Sequence, residues 1–239
     1  MSGIALTGSN TALLLAMLAF VGGHFLLSWP TVRSRLVAPV GERMFTALYS
    51  VLMVLILIWV VAAYRVAPPR LVWDLGPWVN LVPLLAMPFA LILAVLGLSV
   101  RNPAAVGGAE AFAQEDPPVR GVFTITRHPF LSAAAIWSIA HAIANGDLAS
   151  ILLFGGFAVL SIAGMAAIDH KRALKLGARW QAYAERTSRT PFVAAMTKHS
   201  AIDWRGIGWG RPLVGVVLYF VLVVAHDWLF GVPAGLIRG

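Results

Sequence analysis

The sequence contains no cysteine and few charged residues, and these two absences restrict its chemistry. Without cysteine the chain can form no disulfide, and it offers no thiolate as a nucleophile or as a metal ligand. A transition metal or a haem would therefore have to be held by His, Met, Tyr or carboxylate side chains. Charged residues make up only 12% of the chain, whereas 59% is hydrophobic and the mean hydropathy is +0.82. Because a soluble domain carries about twice that share of charge, the composition predicts an integral membrane protein.

Acidic residues are scarce as well, with 10 Asp and Glu against 18 Lys and Arg and a net charge of +8. In a membrane protein such an excess of basic residues is typical of cytoplasmic loops, so no nucleic-acid partner is expected. The N-terminal apolar stretch lacks the basic region that begins a secretory signal peptide. We therefore expect it to be a retained transmembrane helix.

Six apolar segments approach or reach the roughly 20 residues that a helix needs to cross a bilayer. The loops after the first, third and fifth segments hold fifteen of the eighteen basic residues, which predicts that these loops are cytoplasmic and both termini are not. Between the fourth and fifth segments, Asn145-Gly146-Asp147 is a turn tripeptide that predicts a helical hairpin. The predicted fold class is all-α: a polytopic helical membrane protein with about six transmembrane helices in one domain over residues 1–239. The predicted spans are 8–29, 43–63, 78–99, 129–145, 148–168 and 212–230.

Two of the predicted cytoplasmic segments are long. The first, 101–128, contains the small, acidic and proline-rich stretch 106–121, which predicts irregular structure. The second begins with residues 169–192, where basic residues alternate with apolar ones at helical spacing. This pattern predicts an amphipathic helix lying along the cytoplasmic membrane surface.

Three histidines lie inside predicted spans: His24, His141 and His226. Measured from Arg33, Arg127 and Arg211 respectively at 1.5 Å per residue, they lie about 13, 21 and 22 Å inward. Ionisable side chains at such depths are costly and mark candidate functional sites. A single intramembrane histidine can instead hydrogen-bond a neighbouring helix and support packing. For His226, which precedes Asp227 near the outer interface, packing is the favoured interpretation.

The fourth predicted span carries a polar stripe. Ser138, His141 and Asn145 follow one another at helical spacing and share one face, which should point into the bundle. Trp137 lies one turn before His141. Because His24 also has a polar residue one turn away and two glycines beside it, the pair His24 and His141 is favoured as metal ligands, with His226 as the alternative ligand.

Three sequence motifs together resemble the NnrU family of membrane proteins, which are related to zeta-carotene isomerase. They are GGH near the end of the first span, TRHP at the start of the fourth, and WSIAHAIANGD within it. The resemblance covers about residues 8–195 and implies a multi-pass protein of the bacterial inner membrane. It also implies haem b with two intramembrane histidines as axial ligands, which correspond to His24 and His141. Where the isomerase carries a cysteine as an alternative ligand, this chain has Ser138, whose hydroxyl is a poor ligand for ferrous haem.

Two activities are implied by this resemblance. One is a redox-gated cis–trans isomerase of a polyene such as a carotenoid, and the other is a haem protein linked to nitric oxide and nitrite metabolism. The partners expected are the lipid bilayer and a lipophilic small molecule. The residues expected at the haem are His24, His141, Arg127, His128, Trp137, Ser138 and Asn145.

A second resemblance leads to a different activity. The Arg-His-Pro triplet, a later acidic residue and the run 177-GARWQAY-183 are similar to the isoprenylcysteine carboxyl methyltransferases. This similarity implies an S-adenosylmethionine site at the cytoplasmic mouth. Its residues would be Arg127, His128, Asp169, Trp180, Tyr183 and Arg189, although Asp169 stands where that family usually has Glu. A third alternative is a non-enzymatic accessory protein of a respiratory complex.

Overall fold

The structure is a computed structural model that describes residues 6–104, 119–197 and 201–234. Most of the predicted irregular stretch 106–121 lies outside the described residues. Within them the chain is helical, and its only β-type pairing is the isolated bridge between Leu71 and Asp147. The helices are α1 (Asn10–Ser28), α2 (Pro30–Val40), α3 (Glu42–Val66), α4 (Leu81–Ser99), α5 (Pro129–Asn145), α6 (Leu148–Leu176), α7 (Ala178–Glu185), α8 (Val193–Met196), α9 (Trp204–Ile207) and α10 (Gly210–Phe230), with 3₁₀ turns at Pro77–Asn80 and Gly121–Thr124.

Five helical segments of the described chain are long and apolar enough to cross a bilayer. They are α1, α3, α6, α10 and the segment Pro77–Ser99, which contains α4. They coincide with five of the six predicted spans and confirm the class of multi-pass helical membrane protein. The remaining predicted span forms α5 with the predicted bounds, but α5 has 17 residues and is about 25 Å long, against a hydrocarbon core of about 30 Å. The count of six spans and the placement of the termini stay predictions.

The helices differ from the predicted elements in two places. The chain after α1 forms α2, which begins with Pro30 in its first turn and ends at Gly41, whose φ is +80°. The fifth predicted span ends at 168, but α6 continues to Leu176, because 169-DHKRALKL-176 contains no helix breaker. The helix ends where Gly177 adopts a φ of +55°. The predicted amphipathic helix 169–192 is therefore wrong as a single element: its first third extends α6, and α7 follows separately.

The chain forms two compact units, and the division between them falls within α5 and α6. The first unit contains Met1–Leu75 and His141–Leu160, and the second contains Gly76–Ala140 and Ser161–Gly239. A single domain over 1–239 stays a prediction.

In the first unit, α1 packs along α3 through small residues. Gly23 faces Met53, whose Cε lies 3.0 Å from the position that a Cβ on Gly23 would take. On another side of α1, the tip of Met17 fills the space left by Gly156 of α6. Gly23, one of the two glycines beside His24, therefore allows α3 to approach α1 closely, whereas no atom lies within 4 Å of a Cβ on Gly22.

The turn between α5 and α6 has the predicted place and is fixed by the loop that follows α3. The Gly146 carbonyl accepts hydrogen bonds from the backbone N–H groups of Val72 and Trp73, at 2.9 and 3.1 Å. Leu148 N–H donates to the Arg70 carbonyl at 2.8 Å, and the Trp73 indole donates to the Ile143 carbonyl at 3.1 Å. These four hydrogen bonds to residues 70–73 thus hold the turn at the end of α5, the helix that carries His141.

Gly146→Ala is expected to destabilise the first unit strongly. A Cβ at position 146 would lie 2.8 Å from Cδ1 of Trp73 and closer still to its carbonyl oxygen, and Gly146 has a φ of +69°. The steric clash and the left-handed backbone conformation together should lower the free energy of unfolding by about 2 kcal/mol or more. The matched control is Gly155→Ala inside α6, where no atom lies within 4 Å of the new Cβ. Thermal unfolding in detergent checks the pair, and equal midpoints for both variants would contradict the expectation.

In the second unit, α4 and α10 pack closely and run antiparallel. Gly215 of α10 meets the backbone of Ile92, with 2.7 Å between its would-be Cβ and the Ile92 Cα. One turn further along α10, the Tyr219 hydroxyl donates to the Leu84 carbonyl at 3.0 Å. Because the contacts move towards the start of α4 as α10 advances, the end of α4 and the start of α10 lie at the same end of the pair.

Candidate functional site

His24 lies half-buried on α1 with its two ring nitrogens in different roles. Its Nδ1 is 2.7 Å from the Phe20 carbonyl oxygen, which can only accept, so Nδ1 carries the proton. In a neutral imidazole, Nε2 then holds the lone pair that a metal would take. Phe20 and Tyr49 pack edge-on against the ring, at centroid distances of 4.5 and 5.9 Å. The local helix thus fixes both the tautomer and the orientation of the ring.

His141 lies half-buried near the end of α5 and belongs to the same unit as His24. Its ring is 5.2 Å from that of Phe154 on α6, and Phe154 in turn packs against Tyr64 of α3 at 6.5 Å. The Tyr64 hydroxyl is 3.1 Å from the Ser150 hydroxyl. Aromatic rings therefore flank both histidines of the first unit.

The other polar residues of the predicted stripe bond to their own helix. The Ser138 hydroxyl is fully buried and lies within 2.7 and 3.1 Å of the Ala134 and Ala135 carbonyl oxygens. The exposed Asn145 side chain donates to the His141 carbonyl at 2.8 Å, which caps the end of α5 rather than reaching the imidazole ring. Trp137 is half-buried.

His226 lies in the second unit, near the end of α10. Its Nδ1 is 2.7 Å from the Val232 carbonyl oxygen, and its ring packs against Phe230 at 4.8 Å. These contacts fasten the last turn of α10 to the residues that follow it. They agree with the packing interpretation of this histidine.

A second cluster, the carboxylate clamp, consists of Arg127, His128, Asp169 and Arg189 in the second unit. Oδ1 of Asp169 accepts from Nε2 of His128 at 2.7 Å and from Nε of Arg127 at 3.1 Å. Oδ2 accepts from Nη2 of Arg127 at 2.6 Å and from Nε of Arg189 at 2.7 Å. The Arg127, His128 and Asp169 side chains are 8%, 2% and 9% exposed, whereas Arg189 is 52% exposed. Three basic groups thus surround one buried carboxylate.

Backbone hydrogen bonds extend the clamp to the strap, residues 187–190. Arg127 donates through Nη1 to the Thr187 carbonyl at 3.0 Å and through its backbone N–H to the Ser188 carbonyl at 2.9 Å. The Thr126 hydroxyl donates to the Arg189 carbonyl at 2.7 Å. The clamp therefore joins the start of α5, the buried part of α6 and the strap.

Trp180 and Tyr183 of α7 pack together in the second unit rather than facing an open site. Their rings are 5.5 Å apart, and both residues are buried in a small core with Ala104. Burial raises the pKa of the Tyr183 phenol above its usual value, so the phenol is neutral at physiological pH. Both residues hold α7 against α6 instead of presenting groups to a ligand.

The sequence did not predict the aromatic neighbours of the two histidines. It also did not predict the hydrogen bond from Thr126 to the strap beside the clamp. Tyr49 and Tyr64 are two of only four tyrosines and both lie in an apolar span, a signal that could have marked that face of α3. Thr126 directly precedes the Arg-His-Pro triplet, but nothing in the sequence indicates that it reaches the strap. Among the described residues, no three His, Asp or Glu side chains gather as a metal site.

Comparison with protein families identifies one relationship for the chain. The family profile described as NnrU protein matches residues 12–234, which is nearly the whole sequence and includes both histidines and the clamp. Comparisons with curated proteins and with solved structures give no significant match.

Proposed function

The chain belongs to the NnrU family, and on that premise we propose that it is a multi-pass membrane protein that binds haem b through His24 and His141. One observation carries the proposal. The Nδ1 proton of His24 is committed to the Phe20 carbonyl, which prepares Nε2 as an electron-pair donor within an apolar span. His141 supplies a second imidazole in the same compact unit.

The residues of the first unit suit a haem in their chemistry. Haem iron needs only one or two protein ligands beyond the porphyrin nitrogens, so a pair of histidines is sufficient. The flanking rings of Phe20, Tyr49 and Phe154 supply the apolar surround that a porphyrin favours. Since the Ser138 hydroxyl is bonded to its own helix, it competes with neither histidine as a ligand.

The roles of the side chains follow from this arrangement. His24 and His141 would hold the iron, and the aromatic residues around them would exclude water. A bound haem would supply one-electron redox chemistry and an iron centre that could interact with a double bond or with a diatomic gas. The chain would accordingly serve as a redox-gated isomerase of a polyene or in nitrite and nitric oxide metabolism, in a bacterial inner membrane.

A second candidate, an S-adenosylmethionine-dependent methyltransferase, is favoured by one observation. In the clamp, Arg127, His128 and Arg189 all contact the carboxylate of Asp169. These are four of the residues that the resemblance to the methyltransferases implies for an S-adenosylmethionine site. However, both oxygens of Asp169 are already engaged by protein cations, and Trp180 and Tyr183 are buried in a core. The clamp therefore offers a ligand few unengaged groups, and the haem protein is the better-supported proposal.

The ultraviolet–visible spectrum of the detergent-purified protein tests the proposal. Oxidised and dithionite-reduced samples from haem-supplemented cells should show a low-spin b-type spectrum, with about one haem per chain in a pyridine haemochrome assay. Monodisperse, colourless protein would contradict haem binding. In that case calorimetry with S-adenosylmethionine decides for or against the second candidate.

A further inference from the structure

A cavity of about 230 Å³ opens in the second unit, where α4 ends and α10 begins. Its floor is apolar and includes Leu96, Val122 and Ile207, each 5% exposed or less. Its rim carries three arginines, Arg101, Arg120 and Arg211. The cavity, called the arginine pocket below, thus combines a hydrophobic base with a strongly basic edge.

The fold places the three arginines at one end of the α4–α10 pair. Arg101 follows the last turn of α4, and Arg211 lies in the first turn of α10. Because the two helices run antiparallel, these positions lie at the same end. Arg120 immediately precedes the 3₁₀ turn whose residues line the floor. Since α4 and α10 both belong to candidate spans, we expect the arginine pocket at their ends to lie at the boundary between the hydrocarbon core and water.

The charge at the pocket favours an anion. Among the described residues around the pocket, Asp203 is an acidic residue that attracts Arg120. The Asp203 carboxylate accepts hydrogen bonds from the backbone N–H groups of Gly121 and Gly206, both at 2.9 Å. These bonds hold its pKa below the usual range, so it stays ionised but is occupied by the backbone. Arg120 and Arg211 therefore carry more positive charge than this one carboxylate balances, and the N-terminus of α10 adds a partial positive charge.

We propose that the arginine pocket binds an anionic phospholipid, whose phosphate is held by the guanidinium groups of Arg120 and Arg211 and whose acyl chain lies on the apolar floor. Guanidinium groups bind phosphate through paired hydrogen bonds. Basic pockets between transmembrane helices are a known form of site for acidic headgroups. A free phosphate would leave the apolar floor without a partner, whereas a lipid of the surrounding leaflet satisfies both parts of the pocket. This inference is independent of haem.

The experiment compares two double variants of the full-length protein in native mass spectrometry and thermal unfolding. Arg120→Gln/Arg211→Gln removes two charges from the pocket. Arg35→Gln/Arg43→Gln removes two exposed charges from the first unit and serves as the control. Delipidated protein in detergent receives phosphatidylglycerol, phosphatidylcholine or inorganic phosphate.

Phosphatidylglycerol should bind wild type and the control at least tenfold more tightly than phosphatidylcholine and raise their unfolding midpoints. In the pocket variant this preference should fall to within about twofold. An unchanged preference in that variant would overturn the proposal, and stabilisation by inorganic phosphate alone would replace the lipid by a free anion. If the pocket variant fails to fold, Arg211→Lys is the second test, because it keeps the charge but loses the paired hydrogen bonds. Its preference for phosphatidylglycerol should still fall.

Discussion

His24→Gly and His141→Gly should each lose the b-type spectrum, with haem content falling more than tenfold, while His226→Ala keeps it. Each glycine variant removes one of the two proposed iron ligands, and even loss of a residue that only orients a ligand typically lowers metal affinity 10- to 100-fold. His226 is the matched control because its Nδ1 bonds to the Val232 carbonyl in the second unit. Haem per chain in monodisperse protein is the quantity to measure.

Rescue with imidazole separates a lost ligand from a damaged fold. A glycine at position 24 or 141 leaves a space of the size of the missing ring, so free imidazole in the buffer should restore the low-spin spectrum. A misfolded variant would not respond. Loss of the spectrum in His226→Ala with full retention in His24→Gly would contradict the proposed ligand pair and assign His226 in place of His24.

The local features around these histidines follow from the sequence to different degrees. The spans themselves are predictable because long apolar runs leave few alternatives to helices in lipid. The bond from His24 to the Phe20 carbonyl is a contact within one helical turn. By contrast, the contact of His141 with Phe154 depends on how α5 folds back on α6. A turn tripeptide predicts that reversal but does not determine which rings meet.

The errors in the prediction have a common physical origin. The change to basic residues after 168 predicts the end of the fifth span and the start of a separate surface helix, but charge does not end a helix, and α6 continues to Leu176. Likewise, α2 is too short and too polar to show in a search for spans. Composition reports where a segment lies relative to lipid, whereas helix ends depend on single residues with special backbone angles.

The carboxylate clamp illustrates what only tertiary structure provides. Asp169 lies 42 residues after Arg127, and their pairing could be inferred from the sequence only through a resemblance to another family. The structure further shows that Arg127 also bonds to the strap, a connection that no local pattern indicates. This arrangement gives the clamp a structural role that can be tested apart from any catalysis.

Asp169→Ala should destabilise the second unit by about 3 kcal/mol, since breaking a buried ion pair from one side typically costs 3–5 kcal/mol. The variant leaves Arg127 and His128 buried without their counter-charge. The matched control is Arg189→Gln, which removes the half-exposed partner and should cost less than about 1 kcal/mol. Chemical unfolding in detergent, followed by tryptophan fluorescence, gives the two values.

The paired variant Arg127→Met/Asp169→Leu distinguishes the loss of a charge from the loss of packing. Because it removes both buried charges and keeps apolar volume, it should recover much of the stability that Asp169→Ala loses.

Proteolysis of the strap is an independent measurement. Without the carboxylate, Arg127 should hold Thr187 and Ser188 less firmly. Trypsin should therefore cleave after Arg186 or Arg189 faster in Asp169→Ala than in wild type. Equal stability of Asp169→Ala and Arg189→Gln, with equal rates of cleavage after Arg186, the site that both variants keep, would show that the buried carboxylate does not hold these segments together. The clamp residues would then be better explained by binding a ligand than by supporting the fold.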